Sequence, residues 1–229
     1  RYLAVTGVQT CALPISAMAD DLAATLALPI ASGLVGAADT PRFAWVENAG
    51  GVRNIWVSAG GRPARAITAF TDDDGQQLSD LALTRDGARV AFVRGGDPEF
   101  PDGSIPNTAA SATPPKQQIF VASTTGGAAE LVGEGHAPVF APDGERLAFT
   151  RKGEIWLWSK AAGAQRVATV AGDASRLEWS PDGRQLLFVD ERGDHSFIAL
   201  LDVAARGEAR LRYLDPGLGF AVEPCFAPD

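Results

Sequence analysis

The chain of 229 residues is poor in the residue types from which reactive or metal-binding centres are usually built. It holds two cysteines, Cys11 and Cys225, too few for a disulfide framework. Its two histidines, His136 and His195, lie far apart and outside any metal-ligand spacing, so no metal site and no cofactor are expected. Basic residues are outnumbered, 20 Lys and Arg against 28 Asp and Glu, giving a net charge of -8. No basic patch is available to neutralise phosphates, which excludes a nucleic-acid partner. No apolar run reaches the ~18 residues of a membrane span.

What is abundant points to a folded, strand-rich protein. Hydrophobic residues make up 46% and charged residues 21%, enough to bury a core. The 25 glycines and 15 prolines suit many short strands joined by tight turns.

A repeat organises the sequence. Leu81-Ala82-Leu83-Thr84-Arg85-Asp86-Gly87, Val139-Phe140-Ala141-Pro142-Asp143-Gly144 and Leu177-Glu178-Trp179-Ser180-Pro181-Asp182-Gly183 align with one another and with Cys225-Phe226-Ala227-Pro228-Asp229. The aspartates at 86, 143, 182 and 229 stand 57, 39 and 47 residues apart, and periods of ~40–50 are those of propeller blades. In each repeat an apolar strand runs into an Asp-Gly turn, where Asp bonds the following backbone and Gly accepts a positive φ. A second strand follows at Val90–Val93, Leu147–Thr150 and Leu186–Val189, and a third at Gln118–Val121, Ile155–Trp158 and Phe197–Leu200. A more polar fourth, Arg166–Val170, closes the unit, and four strands per repeat make a propeller blade.

Strand faces agree. In Ile155-Trp156-Leu157-Trp158 both alternating faces are apolar, as expected of a strand covered on both sides by neighbouring blades. Upstream, Arg42–Val46 and Asn54–Val57 around Gly50-Gly51 read as the second and third strands of an earlier blade, while Asp21–Val35 reads as a short helix or lead-in. The fold expected is all-β: a propeller with four-stranded blades, about four of them present and a fifth beginning, incomplete at the C-terminus. The divisions expected are 1–16, 17–41 and 42–229.

The first division is set apart by its own resemblance. Val5 to Ile15 resembles the conceptual translation of a widely used sequencing adapter, so residues 1–16 are expected to be non-native. That leaves Cys225 as a lone thiol, expected to be a small buried apolar residue. Ala17-Met18-Ala19 before Asp20-Asp21 has the small-x-small pattern of a signal-peptidase site, so 17–41 is expected to hold an export-signal remnant and a lead-in. A periplasmic or secreted location is expected on that ground, a cytoplasmic one otherwise.

The W-S-P-D-G, L-x-F-x and x-I-W-x-W segments resemble the propeller repeats of two groups: TolB-like propellers, and the N-terminal propeller of the prolyl oligopeptidase family, including dipeptidyl peptidase IV and acylaminoacyl peptidase relatives. The second resemblance rests on Phe43–Val46 through Asn54–Val57, on the insertion Gly95–Pro115, and on Arg192–Ile198. It implies a parent serine peptidase acting on short peptides, whose α/β-hydrolase domain carries the serine, aspartate and histidine. This chain has no G-x-S-x-G, so no catalytic residue is assigned in it. The propeller is expected to gate and shape access, with a peptide substrate reached through the missing catalytic domain and self-association left open. The alternative is a non-enzymatic TolB-like scaffold for protein partners in the cell envelope.

Candidate sites follow from both readings. In dipeptidyl peptidase relatives, acidic residues on a propeller insertion hold the substrate's amino terminus, which makes Asp97, Glu99 and Asp102 candidates; the competing reading is a solvated loop. Asp72-Asp73-Asp74-Gly75 lacks the acid spacing of an EF-hand and reads as a turn between blades. Asp190–Asp194 reads as a hairpin loop. His136 reads as a cap or inter-blade hydrogen-bonding group. His195 beside Ser196 is no catalytic signal, because neighbouring strand residues face opposite ways. The five tryptophans read as core.

Overall fold

The computed structural model describes residues 22–96, 112, 115–203, 210–214, 217, 219–221 and 223–227. Among the described residues, sixteen strands form four antiparallel sheets, each in simple sequence order or its reverse. Blade 1 is β1 (Ile30–Gly36), β2 (Arg42–Ala49), β3 (Val52–Ala59) and β4 (Arg65–Ala66). Blade 2 is β5 (Leu78–Leu83), β6 (Arg89–Arg94), β7 (Gln118–Ser123) and β8 (Glu130–Glu134). Blade 3 is β9 (His136–Phe140), β10 (Arg146–Arg151), β11 (Glu154–Ser159) and β12 (Gly163–Ala168). Blade 4 is β13 (Asp173–Trp179), β14 (Gln185–Glu191), β15 (Ser196–Asp202) and β16 (Arg210–Tyr213).

The first strands are innermost, and they meet across the seams: β1 with β5, β5 with β9, β9 with β13. Packing runs from blade 1 to blade 4 without returning, so the described blades form an open arc of a β-propeller. The expected second and third strands lie where the turn repeats placed them. Three local readings differ. Residues 30–36 form β1 rather than continuing a helical lead-in, so the first sheet starts at Ile30 and not at residue 42; only 22–26 are helical. The fourth strand of blade 3 ends at Ala168, and Thr169 and Val170 already lead toward blade 4. Cys225 is exposed, because the odd-numbered residues of 223–227 face solvent while Pro224 and Phe226 are half-buried.

Three apolar clusters hold the arc, one per seam. Each follows a size rule set by the second strand. Phe92, Phe149 and Phe188, all at 1% exposure or less, project toward the preceding blade. Each shares a cluster with the small residue of that blade's second strand: Phe92 with Ala44, Phe149 with Ala91, Phe188 with Ala148. A large ring over a methyl group lets two twisted sheets approach closely. β11 serves two seams, with Ile155 and Leu157 on the blade 4 side and Trp156 and Trp158 on the blade 2 side.

The innermost strands share a backbone device. Each of β1, β5, β9 and β13 carries a register shift at a residue with positive φ: Gly33 (62°), Asp80 (48°), Ala137 (49°) and Arg176 (53°). Each stands six residues before the turn aspartate or its blade 1 equivalent, at 39, 86, 143 and 182. Glu223, six before Asp229, has the same left-handed φ of 51°, so this stretch enters the geometry of a further first strand. Such bulges bend a strand and re-aim its side chains.

Candidate functional site

The Asp-Gly turns all lie at one end of the arc, and this end is closed by arginines. In blades 1, 2 and 3 the arginine that opens the second strand reaches across the seam to the next blade's turn. Arg42 donates to the Gly87 carbonyl (3.1 Å), Arg89 to that of Gly144, and Arg146 to that of Gly183 (2.8 Å). Arg89 and Arg146 also lie over Phe140 (5.8 Å) and Trp179 (4.9 Å). A cleft of about 460 Å³ opens here between Asp39, Arg85, Asp86, Arg89, Asp143 and Glu145. Its charges are spoken for: Arg85 pairs with Asp39 (2.8 Å) and Arg89 with Glu145 (2.9 Å), while Asp86 accepts from the Thr84 hydroxyl (2.6 Å) and the Ala88 amide (2.9 Å). These bonds hold the carboxyl of Asp86 below its ordinary range, the Thr84 hydroxyl contributing most.

The opposite end carries the second-to-third-strand hairpins and the segments that pass between blades. The insertion leaves β6 here, but Asp97, Glu99 and Asp102 lie outside the described residues. The three aspartates at 72–74 form an exposed inter-blade segment. The Asp73 carboxylate is 3.7 Å from Arg53, and Asp74 pairs with Arg94 and accepts the Gln76 amide (2.9 Å). Cationic partners lie against two of these acids. His136 is hydrogen-bonded to Thr150 (3.0 Å), its neighbour on the adjacent strand of the same blade.

Blade 4 concentrates the polar chemistry of this end. The fully buried Asp190 carboxylate accepts two bonds from Arg192 (2.9 and 2.7 Å), one from the Tyr213 hydroxyl (2.9 Å) and one from the Gly172 amide (2.9 Å). Arg192 lies over the rings of Phe197 (4.6 Å) and Tyr213 (5.3 Å). Burial, with Asp190 beside it, pushes the Tyr213 hydroxyl up, so Tyr213 stays a donor. The group locks the β14–β15 hairpin. His195 is bound through Nδ1 to Asp194 (2.6 Å), and this bond holds the Asp194 carboxyl down. Ser196 is clamped: its hydroxyl donates to the Ala221 carbonyl (2.8 Å) and accepts the Ala221 amide (2.7 Å). Ser196 is therefore a backbone staple.

Beside this hairpin lies a cleft of about 260 Å³ lined by Arg176, Val189, Glu191, His195 and Phe220, among others. Val189 is buried on its floor, and Phe220 stands 70% exposed at its edge. Arg176 comes from the β13 bulge, so an innermost strand and a hairpin of the same blade build the cleft. Sequence reasoning missed it, because Arg176 carries no motif beyond its place six residues before Asp182.

No protein-family model matches the chain, and no curated protein matches it by sequence. Solved structures match in fold. A TolB from Acinetobacter baumannii superposes with a TM-score of 0.54 and 18% identity, covering 82% of this chain and 44% of its own. A structure from work on two prolyl endopeptidases gives 0.61 and 17%, covering 90% of this chain and 33% of its own. An oligogalacturonate lyase in complex with manganese gives 0.54 and 16%, covering 81% and 53%. The chain thus spans about half or less of the length of each. The described residues thus form a four-blade β-propeller arc, similar in fold to propellers of TolB and of the prolyl endopeptidase structure.

Proposed function

We propose that the arc is the substrate-gating part of a serine peptidase of the prolyl oligopeptidase type acting on short peptides, with the catalytic α/β-hydrolase domain supplied elsewhere in the parent protein. The observation that carries this reading is the contrast between the two ends. One is sealed by arginine bonds and ion pairs; the other carries the insertion, the locked hairpin and a concave site with a cation that has no partner among the described residues and an exposed aromatic ring. A gate needs a stiff scaffold and one open, ligand-facing end. The likeness to the prolyl endopeptidase structure over 90% of this chain supports the same reading. A covered cavity excludes folded proteins and bulk water, which favours small substrates. On the small-x-small pattern at Ala17–Ala19, we place the parent outside the cytoplasm.

The test is substrate size. The product of the whole reading frame should cleave peptides of a few residues and leave folded proteins intact. Equal cleavage of both would remove the gating role. A second reading, a scaffold for protein partners, is favoured by the uncovered face of blade 1, where Phe43 is 46% and Leu34 69% exposed. That reading requires a whole protein without hydrolytic activity.

A further inference from the structure

We infer that the cleft on blade 4 is a carboxylate-recognition site for short peptides, with Arg176 holding the carboxylate and Val189 and Phe220 flanking an apolar side chain next to it. The inference rests on the peptide-gating reading and names the part of the peptide that this end recognises.

The backbone at Arg176 is the first observation. Its φ of 53° is left-handed, a conformation that an arginine adopts only at a cost. Blades 1 and 2 show two ways in which the fold meets that cost, whereas Ala137 of blade 3 bears it with a methyl group. Blade 1 uses Gly33, which has no Cβ. Blade 2 uses Asp80, a residue type that tolerates this region, and its carboxylate accepts the Ala137 amide of the next blade (2.9 Å). Arg176 does neither. Its side chain is exposed and makes no hydrogen bond or ion pair among the described residues, and Glu223, one repeat on, does not pair with it.

The cleft is the second observation. Glu191, the acid lining this cleft, accepts the Ser175 hydroxyl, and Arg176 is the lining cation with no side-chain partner among the described residues. His195 faces the same space with Nδ1 taken by Asp194, which leaves Nε2 for a ligand. A planar guanidinium matches a carboxylate with two parallel hydrogen bonds. The apolar floor at Val189 and the 70% exposed Phe220 ring give an adjacent side chain a surface to cover. At about 260 Å³ the cleft lies below the ~300–1,000 Å³ of drug-sized pockets, which fits one or two residues of a peptide rather than a folded partner. The larger cleft at the turn end has its charges paired and offers no such claim.

Fluorescence anisotropy on the 229-residue chain tests this with three dansylated probes: Ala-Ala-Phe with a free C-terminus, its C-terminal amide, and the amide Ala-Glu-Phe. The free acid should bind at least ten times more tightly than its amide if the carboxylate is a peptide terminus. Recovery of binding by the Glu-containing amide instead assigns the site to acidic side chains; either result supports it. Arg176→Gln should weaken binding at least tenfold and Phe220→Ser about fivefold, while Lys160→Gln, at an exposed position of the turn end, should change nothing. Arg176→Gly should abolish binding and raise the thermal midpoint, since glycine relieves the left-handed backbone. Equal binding of all three probes, no binding of any, or unchanged affinity in Arg176→Gln overturns the assignment. Peptidase activity of the parent is measured separately. Carboxylate binding without hydrolysis would sink the peptidase reading and leave the site standing; hydrolysis without carboxylate binding would do the reverse.

Discussion

The Arg146 guanidinium lies 4.9 Å over the Trp179 ring and donates at 2.8 Å to the carbonyl of Gly183, four residues further along. Arg146 opens the second strand of blade 3, and Trp179 closes the first strand of blade 4. One side chain thus ties two blades through a cation–π contact and a charge-assisted hydrogen bond. Asp143 holds its Nε from behind at 2.7 Å. The same arrangement recurs from Arg89 to Phe140 and Gly144.

Arg146→Ala should destabilise the chain by about 1–2 kcal/mol, the worth of one such contact and one hydrogen bond at a partly exposed seam. Lysine should not rescue it, because a point charge cannot stack and fork as guanidinium does. Gly183→Ala should cost a similar amount or more. Gly183 has a φ of +67°, and an added Cβ would stand 2.9 Å from Arg146 Nη2. Urea midpoints measure all three.

The seam size rule makes a packing forecast. Phe149→Ala should cost about 3–5 kcal/mol by opening a cavity at the blade 2–3 seam. Ala148→Leu should cost about 1–3 kcal/mol by pushing against Phe188, which shares its cluster. Leu187, the blade 4 residue at the position of Ala148, belongs to none of the three seam clusters. Leu187→Ala should therefore leave the blade 3–4 seam intact, with Trp179 fluorescence unchanged.

Acid should loosen the turn end. The Ser180 hydroxyl holds the carboxyl of Asp182 down, as that of Thr84 does for Asp86. For Asp143 burial pushes upward, but the bonds from Arg146 and nearby amides outweigh it. All three are thus lowered from an ordinary value of 3.8. A lowered folded-state value means stabilisation that is complete above the ordinary value and is lost as pH falls below it through the folded value. Thr84→Ala should move the Asp86 titration up toward 3.8, read by carboxyl NMR. An unmoved titration would show that the hydroxyl does not hold it.

Much of this architecture was legible, for a definite reason. Asp-Gly turns pin the strands on either side, so β5, β6, β9, β10, β13 and β14 fell where the repeats put them. β1 was not legible. Its Ile-Ala-Ser-Gly-Leu-Val-Gly sequence is broken by the bulge at Gly33, which interrupts the alternation that marks a strand. The arginine ties did have a signal: Asp39, Asp86 and Asp143 are each followed three residues later by arginine, whereas Asp182 is followed by Gln185. The left-handed positions had none in residue type, since Gly, Asp, Ala, Arg and Glu all occupy them. Only their constant distance from the turn aspartate marks them. The acidic insertion candidates Asp97, Glu99 and Asp102 lie outside the described residues; the cleft described at this end is lined by Arg176 and the blade 4 hairpin.

Tyr213→Phe should cost about 1.5–3 kcal/mol, because it strips one donor from the fully buried Asp190 carboxylate. Arg192→Met should cost more, since it leaves that charge without its cation. Asp190→Asn in the Arg192→Met background should recover part of the loss. Thermal unfolding of the single and double variants measures the coupling.

The most direct test of the gating account is fluorophosphonate labelling of the protein made from the whole reading frame, followed by peptide mapping. The account predicts one labelled serine, outside these 229 residues, and no label on this chain expressed alone. Label on a serine within the chain, or no labelled serine in the whole protein, would contradict it.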